Sequence, residues 1–239
     1  MNFTTTPGSI TALRYLLALL PIEDMTTNDD NLIFNDTFLK ATKIQDPVFI
    51  CLDTEGDSAR EFGMRAEFER PFQFGISRMI GAGSVFPLLQ NIFRTGHPDS
   101  SHQESRNTIL VGHSVDGDIA SLEKVIGRAW SIQDFPYSLV FDTQVTRRGL
   151  FGGPAHKRLE TQLIKLQISY KYLHNGGNDS NFTLKALLAL ALLDCPVNKD
   201  CSLELRKRKK IIRAIAQMPM PPRIADHLEP IPLDSVDEL

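Results

Sequence analysis

Two acidic side chains follow a short apolar run early in the chain. The run PVFICLD, residues 47–53, is rich in β-forming residues and predicts a buried strand. Asp53 ends this run, and Glu55 follows two residues later. Side chains two apart on a strand face the same way, so both carboxylates can approach one cation. Solvated acids at a strand end are the ordinary alternative, and the apolar residues before Asp53 weigh against it.

The segment VGHSVDGDIASL, residues 111–122, offers a nucleophile in one interpretation. GHSVDG is close to the G-x-S-x-G turn in which a serine of α/β-hydrolases attacks an acyl carbon, and Ser114 would be that serine. The turn needs a small residue two places beyond the serine, where Asp116 would crowd the helix against the strand. An acid and a histidine are also required downstream, and Asp142 and His174 are available. This is the weaker interpretation, because any chain of this length provides some such pair.

Two further acids stand where helices are expected to begin. In the second interpretation of the same segment, Asp118 provides a metal-binding carboxylate just after a predicted strand at residues 108–111. Farther along, LHNGGNDSN carries His174 and Asp179 with four residues between them. The glycine pair between them predicts a tight loop, which would leave Asp179 near the start of the next helix. Each acid alone is typical of helix capping, and it is the ordered set that indicates a site.

The elements that must position these side chains are predicted from apolar periodicity. Strands are expected at 47–53, 72–81, 108–111 and 138–143. Helices are expected at 10–21 (capped by Ser9), 115–126, 158–173 and 183–193, with loops at 97–107 and 174–181. This order predicts an α/β domain on a mixed sheet over residues 46–195. Residues 1–45 are expected to form an N-terminal helix and extension, and 196–239 a basic helix and a proline-rich tail.

Composition limits the partners and the compartment. The chain has 239 residues, 42% of them hydrophobic, which suffices for one sizeable domain with extensions or two small ones. A net charge of −3 excludes bulk attraction to nucleic acid, so a polyanion site must be local. Three cysteines without metal-ligand spacing indicate a reduced intracellular protein of the cytoplasm, the nucleus or both. The apolar run near the N-terminus is too short to span a bilayer and lacks signal-peptide features, so no membrane partner is expected.

Taken in order, these motifs resemble the DEDDh group of 3′–5′ exonucleases, the DnaQ-like and RNase T-like proteins. CLDTE resembles the first motif of that group, VGHSVDGDIASL the second and HNGGND the third, over residues 47–193. FDTQVTRR is similar to the strand between the second and third motifs. LHNGGNDSNFTLKALL is similar to a fungal branch named for supporting a helicase in messenger-RNA export. Ser114 stands where the second motif usually has asparagine, and Gly117 where it often has an aromatic residue.

The resemblance implies both a fold and a reaction. The fold would be RNase H-like, a mixed β-sheet flanked by helices. The reaction would be two-metal-ion hydrolysis from the 3′ end of single-stranded RNA or DNA, releasing nucleoside 5′-monophosphates, with RNA favoured over DNA. Two Mg²⁺ or Mn²⁺ ions would be held by Asp53, Glu55, Asp118 and Asp179, with His174 as general base. Substrate contacts are expected from Thr54, Ser114, Arg147 and Arg148, with Lys157 and Arg158 as further phosphate-binding candidates.

A non-catalytic protein of the same fold is the alternative from another class. Such a module would be weak or inactive as an exonuclease and would bind RNA or a protein partner. The changes at Ser114 and Gly117 concern substrate packing and leave the metal ligands in place. The basic stretch RKRKK, residues 206–210, is interpreted as a nuclear-import patch, a nucleic-acid contact or a solvated helix start.

Overall fold

The computed structural model describes residues 9–20, 36–45, 47–55, 61–66, 76–79, 82–94, 107–154, 156–193, 195 and 202–220. Its strands are β1 (Val48–Glu55), β2 (Glu61–Ala66), β3 (Ile76–Met79), β4 (Thr108–Gly112) and β5 (Leu139–Asp142). Its helices are α1 (Ser9–Leu16), α2 (Asp36–Ala41), α3 (Ala82–Arg94), α4 (Val115–Ile126), α5 (Thr143–Phe151), α6 (Leu159–Lys165), α7 (Gly176–Leu192) and α8 (Leu203–Gln217).

The strands form one mixed sheet with β1 at its centre, in the order β3-β2-β1-β4-β5. β1 pairs in parallel with β4, and β4 with β5, whereas β2 is antiparallel to both β1 and β3. Parallel strands end at the same edge of a sheet, so the carboxyl ends of β1, β4 and β5 lie side by side. Gly112 pairs with Asp142 at that edge.

Alternate residues of the strands separate two cores on the two faces of the sheet. One face packs against α1, α2, α7 and α8 and includes Phe49, Cys51, Val111 and Phe141. The other face packs against α3 and α4 and includes Ile50, Leu52 and Leu110. The period of two along a strand produces this division, since neighbouring side chains point to opposite faces. The predicted mixed sheet flanked by helices is confirmed, and the arrangement is consistent with an RNase H-like fold.

Most predicted elements stand at their predicted positions, and four further elements of the described residues were not predicted. β1, β4 and β5 overlap the predicted strands, α4 spans the predicted 115–126, and β3 lies within 72–81. The unpredicted elements are β2, α2, α3 and α5. The signal for α3 was the i, i+4, i+8 spacing of Val85, Leu89 and Phe93, which is interrupted by Pro87 inside the helix. The predicted loop at 97–107 lies outside the described residues except for Asn107.

The helix predicted over 158–173 is wrong in its second half, because α6 ends at Lys165. Gln167 adopts the left-handed conformation with φ of 56°. The next N–H, of Ile168, then donates to the carbonyl of Leu163 at 2.9 Å, which is the bond of a Schellman motif. Ile168 and Leu163 also share a small buried cluster, so the turn is fixed by packing as well as by hydrogen bonds.

Helix α1 ends by the same device, five residues before the predicted end at 21. Ala18 is left-handed with φ of 48°, and the N–H of Leu19 donates to the carbonyl of Arg14 at 2.7 Å. Glycine is the usual residue at the left-handed position of this motif. Because neither helix carries one there, the sequence offers no stop signal and the apolar periodicity continues past the true end.

Helix α7 begins earlier than predicted, at Gly176, and the predicted loop at 174–181 is therefore wrong. The side chain of Asn175 caps the helix by accepting the N–H of Asn178 at 3.1 Å. Gly176 and Gly177 are both buried in the first turn. Here the glycine pair marks a close-packed helix start, because the asparagine before it supplies the cap.

The elements near both ends of the described chain pack onto α7. Arg14 of α1 donates to the carbonyls of Ala191 and Leu193, so a cation closes the carboxyl end of α7. Lys185 of α7 donates to the carbonyl of Met218, just beyond α8. Residues before 46 and after 195 thus share a core with the predicted central domain. The domain boundaries at 45/46 and 195/196 stay predictions. Among the helices in the described ranges, none is long and apolar enough to cross a bilayer.

Candidate active site

Asp118 is held at the edge of the sheet by the end of β1. It lies in the first turn of α4, and only 7% of it is exposed. Its Oδ1 accepts the backbone N–H of Thr54 at 3.0 Å and the Thr54 hydroxyl at 2.9 Å. The segment that carries Asp53 and Glu55 is therefore joined directly to the carboxylate on α4. In this structure the hydroxyl of Thr54 orients Asp118, and its predicted contact with substrate stays a prediction.

Gly112 permits this close approach of strand to helix. A Cβ placed on it would lie 2.7 Å from Cγ2 of Val115, 3.4 Å from Oδ2 of Asp118 and 3.5 Å from the carbonyl oxygen of Leu52. The first distance is shorter than real Cβ contacts, so any larger residue would push α4 away from β4. Gly112 is the first residue of GHSVDG. The sequence analysis assigned this glycine to the serine turn of an α/β-hydrolase and not to a close contact between strand and helix.

Asp142, at the carboxyl end of β5, caps the two helices α4 and α5 with one carboxylate. Its Oδ2 accepts the N–H groups of Ser114 and Val115 at 3.0 and 2.9 Å, at the start of α4. Its Oδ1 accepts those of Gln144 and Val145 at 2.8 and 3.4 Å, at the start of α5. All four donors are backbone groups, and the side chain is buried. In the hydrolase interpretation Asp142 would orient a histidine. In the structure its carboxylate caps α4 and α5 instead.

Ser114 has the strained backbone of a strand-to-helix turn but lacks the partners of a nucleophile. Its φ of 80° and ψ of 52° are left-handed, and its side chain makes no capping hydrogen bond. The sequence argument that Asp116 would crowd the turn is wrong, because Asp116 is exposed on the outer side of α4. The hydrolase interpretation is weakened instead by its acid, since Asp142 already accepts four backbone N–H groups.

The neighbouring His113 also uses both of its ring nitrogens in structural contacts. Nε2 lies 2.7 Å from the carbonyl oxygen of Lys157, and Nδ1 lies 2.7 Å from the Thr143 hydroxyl. A carbonyl only accepts, so Nε2 carries the hydrogen and Nδ1 of the neutral ring accepts from Thr143. Burial lowers the pKa of His113, against the opposing effects of the Lys157 carbonyl and the Asp142 carboxylate, and Arg147 lowers it further. His113 was not among the residues singled out in the sequence.

Asp179 and His174 meet at the start of α7 through the backbone. Oδ2 of Asp179 accepts the N–H of His174 at 3.0 Å, and only 7% of Asp179 is exposed. His174 is left-handed, with φ of 64°, and its side chain is exposed. The Asn178 side chain donates to the carbonyl of Tyr172 at 2.7 Å and ties the preceding segment to the helix. The carboxylate thus fixes the backbone that presents the imidazole to solvent.

The remaining predicted ligands are described only in part. Asp53 is partly exposed at the end of β1, and the backbone of Glu55 pairs with Glu61, while the Glu55 side chain lies outside the description. One carboxylate oxygen of each of Asp53, Asp118 and Asp179 is buried and accepts no hydrogen bond from a described residue. No group of three or more His, Cys, Asp or Glu side chains is placed to hold a metal ion, within the part of the chain that the structure describes.

The arginines predicted to bind phosphate lie on a helix. Only the first two residues of FDTQVTRR belong to β5, so the strand predicted from the resemblance is corrected to the strand–helix junction of β5 and α5. Arg147 is buried and donates to the carbonyl of Pro154 at 2.8 Å, which argues against a phosphate contact there. Arg148 is exposed, as is Arg158 before α6, and Lys157 is half-buried.

The carboxyl ends of β1, β4 and β5 lie at one edge of the sheet, where Thr54, next to Asp53 in the chain, holds the carboxylate of Asp118. Carboxylate oxygens are hard ligands, and by their chemistry Asp53, Glu55, Asp118 and Asp179 fit Mg²⁺ or Mn²⁺. Thr54 and Gly112 bring β1 and α4 together, and Asp142 fixes the start of α4. The exposed His174 lies on the segment that Asp179 holds at the start of α7.

Comparison with protein families relates the chain to a nuclease domain. The family model DEDDh_C, described as DNA polymerase III subunit epsilon-like, C-terminal domain, matches residues 58–190. This range is more than half of the 239 residues. It contains Asp118, His174 and Asp179, and it begins after Asp53 and Glu55. No curated protein matches the chain.

Proposed function

The chain belongs to the DEDDh family of DNA polymerase III subunit epsilon-like domains, and from this membership we propose that it is a metal-dependent 3′–5′ exonuclease. Its substrate would be single-stranded nucleic acid, RNA in preference to DNA. Its products would be nucleoside 5′-monophosphates. The family supports a DnaQ-like nuclease, and the direction, the substrate and the product are the parts that we add.

One observation carries the proposal. The carboxylate of Asp118 is bonded to both the N–H and the hydroxyl of Thr54, between the two acids of β1. Acids from separate elements are thereby brought to the same edge of the sheet, although like charges in a buried place repel one another. A protein gains little stability from such a cluster, and a cation-binding role explains it.

The side chains divide into metal ligands and groups that act on the substrate. Asp53, Glu55, Asp118 and Asp179 would hold two divalent ions, Mg²⁺ or Mn²⁺. When bound, such ions lower the pKa of water and stabilise the leaving oxygen of a phosphodiester. Thr54 keeps Asp118 in one orientation. Substrate contacts are proposed for Ser114 at the turn and for the exposed Arg148, and for Arg147 only if its bond to Pro154 is released.

His174 is the proposed general base. Its side chain is exposed while its backbone N–H is fixed by Asp179, so the imidazole projects from a rigid point beside a proposed ligand. A base in this position would take a proton from the attacking water. Strained left-handed backbone at a non-glycine residue is itself common at functional sites.

The direct test uses end-labelled oligonucleotides of RNA and DNA, single-stranded, with Mg²⁺, with Mn²⁺ and with excess chelator. We expect stepwise shortening from the 3′ end, no reaction in chelator and strong inhibition by a 3′-phosphate. Mass spectrometry of the released product should show nucleoside 5′-monophosphate. Hydrolysis that survives exhaustive chelation would refute the metal-dependent mechanism, and shortening from the 5′ end would refute the direction.

A second candidate function is a weak or inactive exonuclease-fold module that binds RNA or a protein partner. The observation in its favour is the start of α4, where Ser114 before the helix and Gly117 in its first turn replace the asparagine and the aromatic residue usual in the family that the motifs resemble. Gly117 is exposed, with only the Ser114 side chain near it, so a contact surface for substrate is reduced there. Binding of the same oligonucleotides without any shortening under every metal condition would favour this module.

We place the protein inside the cell, in the cytoplasm, the nucleus or both. Cys51 and Cys195 are buried, and among the described residues neither is in a disulfide, which accords with a reducing compartment. The similarity of LHNGGNDSNFTLKALL to the fungal helicase-supporting branch points to messenger RNA as a substrate or partner. Fractionation of cells that express a tagged chain, followed by crosslinking to RNA, tests both statements.

A further inference from the structure

Helix α8 carries a concentration of positive charge that the candidate active site does not use. Its sequence, LELRKRKKIIRAIAQ, contains six basic residues and one acid, Glu204. The whole chain has a net charge of −3, so the other residues together are strongly acidic. A polyanion is repelled by such a surface except where positive charge is concentrated, and α8 is the most basic of the described elements.

Three of the six basic residues of α8 lie along one line of the helix. Arg206, Lys210 and Arg213 follow the i, i+4, i+7 spacing of a single helix face, and all three are exposed. We call these three residues the basic ridge. From Arg206 to Arg213 the helix rises by about 10 Å. The one acid of α8, Glu204, lies near the opposite edge, where its carboxylate contacts Arg208 at 3.5 Å.

Two hydrogen bonds set the direction of the α8 axis relative to α7. Lys185 donates to the carbonyl of Met218, so the carboxyl end of α8 lies beside the part of α7 that is about 9 Å along the axis from Asp179. Arg208 donates to the carbonyl of Ala18, beside the far end of α7. Helix α8 therefore runs antiparallel to α7, and its basic ridge leads away from the end of α7 that carries Asp179.

We propose that the basic ridge binds the backbone phosphates of a single-stranded nucleic acid upstream of the nucleotide that is removed. The inference rests on the proposed function and extends it to the path of the substrate. Arginine and lysine are the side chains that contact phosphate most often, and such contacts position a strand without reading its sequence. A strand long enough to reach from the candidate site to the ridge would bind more tightly than a short one.

The test measures binding in chelator, where no hydrolysis interferes, of fluorescent single-stranded RNAs of 4 and 20 nucleotides over a range of salt concentrations. The double variant Lys210→Gln/Arg213→Gln should bind the long RNA more weakly, and the slope of log affinity against log salt should fall by about 0.7 for each lost contact. Its affinity for the short RNA should equal that of the wild type. The matched control, Lys40→Gln/Lys43→Gln, neutralises two exposed lysines of α2 and the turn after it and should change neither.

The outcomes separate this inference from the proposed function. Equal binding of the long RNA by the ridge variant and the wild type at every salt concentration would overturn the inference, whatever the nuclease assay shows. If the ridge variant lost binding and the wild type released no nucleotide, the proposed exonuclease function would be refuted. The ridge would still be supported as an RNA-binding surface. Polyglutamate that displaces the long RNA as efficiently as unlabelled RNA of the same charge would assign the ridge to an acidic protein partner and overturn the inference.

Discussion

Ser114 and Asp118 stand four residues apart at the corner between β4 and α4, and their environments predict opposite effects of substitution. Asp118→Asn keeps an acceptor for Thr54 but removes the charge. We expect nucleotide release to fall by more than the roughly 10- to 100-fold loss typical of residues outside the ligand shell. Ser114→Ala should be nearly silent, with only a small loss of rate from the proposed substrate contact and a stability within about 0.5 kcal/mol of the wild type, because the serine side chain makes no cap.

Initial rates on labelled RNA, together with melting curves, measure both variants. The melting curves control for misfolding, since Asp118→Asn must retain the wild-type transition for its rate to be interpreted. An inactive Ser114→Ala beside an active Asp118→Asn would reverse the assignment and restore the hydrolase interpretation.

The exposed position of His174 makes its role unusually testable. His174→Asn suits the observed left-handed backbone, which asparagine tolerates, and removes the imidazole. We expect kcat to fall by roughly 10²–10⁴, the usual contribution of general base catalysis, with RNA affinity and melting temperature unchanged. His156→Asn, at another exposed histidine, is the matched control and should behave as the wild type. Wild-type turnover in His174→Asn would remove this residue from the mechanism.

His113 predicts a pH dependence of stability that is separate from catalysis. Its pKa is lowered from the ordinary 6.5, chiefly by burial, so below that value the unfolded chain binds the proton more readily than the folded one. The free energy of unfolding should therefore fall as the pH drops below about 6.5. The fall should be smaller in His113→Gln than in the wild type. Urea denaturation between pH 5.5 and 7.5 compares the two proteins. If the unfolding free energies of the two proteins changed equally with pH over that range, the lowered pKa of His113 would be contradicted.

At the scale of elements, Asp142 joins the starts of α4 and α5 through one carboxylate. Each capped helix contributes about 1 kcal/mol, so Asp142→Ala should lower the free energy of unfolding by about 2 kcal/mol or more. Chemical denaturation measures this loss. Asp116→Ala is the control, because Asp116 is an exposed acid in the first turn of the same helix and should cost less than about 1 kcal/mol. Equal effects of the two substitutions would show that the double cap adds no stability.

The starts of elements were easier to predict from the sequence than their ends. The parallel strands and α4 were located because apolar runs and helical spacing set them. Helices α1 and α6 were predicted too long, because Ala18 and Gln167 take a left-handed position that the sequence marks with no glycine. Conversely, Gly176 and Gly177 indicated a loop and proved to be the buried first turn of α7. These differences arise from tertiary packing, which a local pattern does not contain.

The acids of the proposed site were singled out in the sequence and stay predictions as metal ligands, whereas the roles of the residues that position them were not found there. The order of Asp53, Asp118 and Asp179 along strand ends and a helix start follows from motif and periodicity. The double cap by Asp142 and the tautomer of His113 depend on contacts between β4, α5 and the segment before α6. Contacts between residues 28 to 44 positions apart leave no period in a sequence, and structure alone supplied them.

At the scale of the whole molecule, α7 connects the sheet to the helices nearest both chain ends. Lys185→Met keeps the aliphatic volume and removes the donor to the Met218 carbonyl. We expect a loss of about 1.5 kcal/mol in unfolding free energy, the value of a hydrogen bond from a charged donor. Hydrogen exchange in α8 should accelerate in this variant. Lys165→Met, which removes an exposed lysine lying over Phe151, is the control and should leave α8 protected.

The packing of α8 onto α7 has a consequence for synthesis on the ribosome. The five strands in the described part of the chain are complete once Asp142 has been made, yet one core contains Leu205, Ile212 and Ala216 beside Phe49 and Phe141. That face of the sheet must therefore remain partly uncovered while about sixty further residues are translated, a matter of seconds at usual elongation rates. We expect the nascent chain to bind chaperones during this interval and to release them when α8 leaves the exit tunnel.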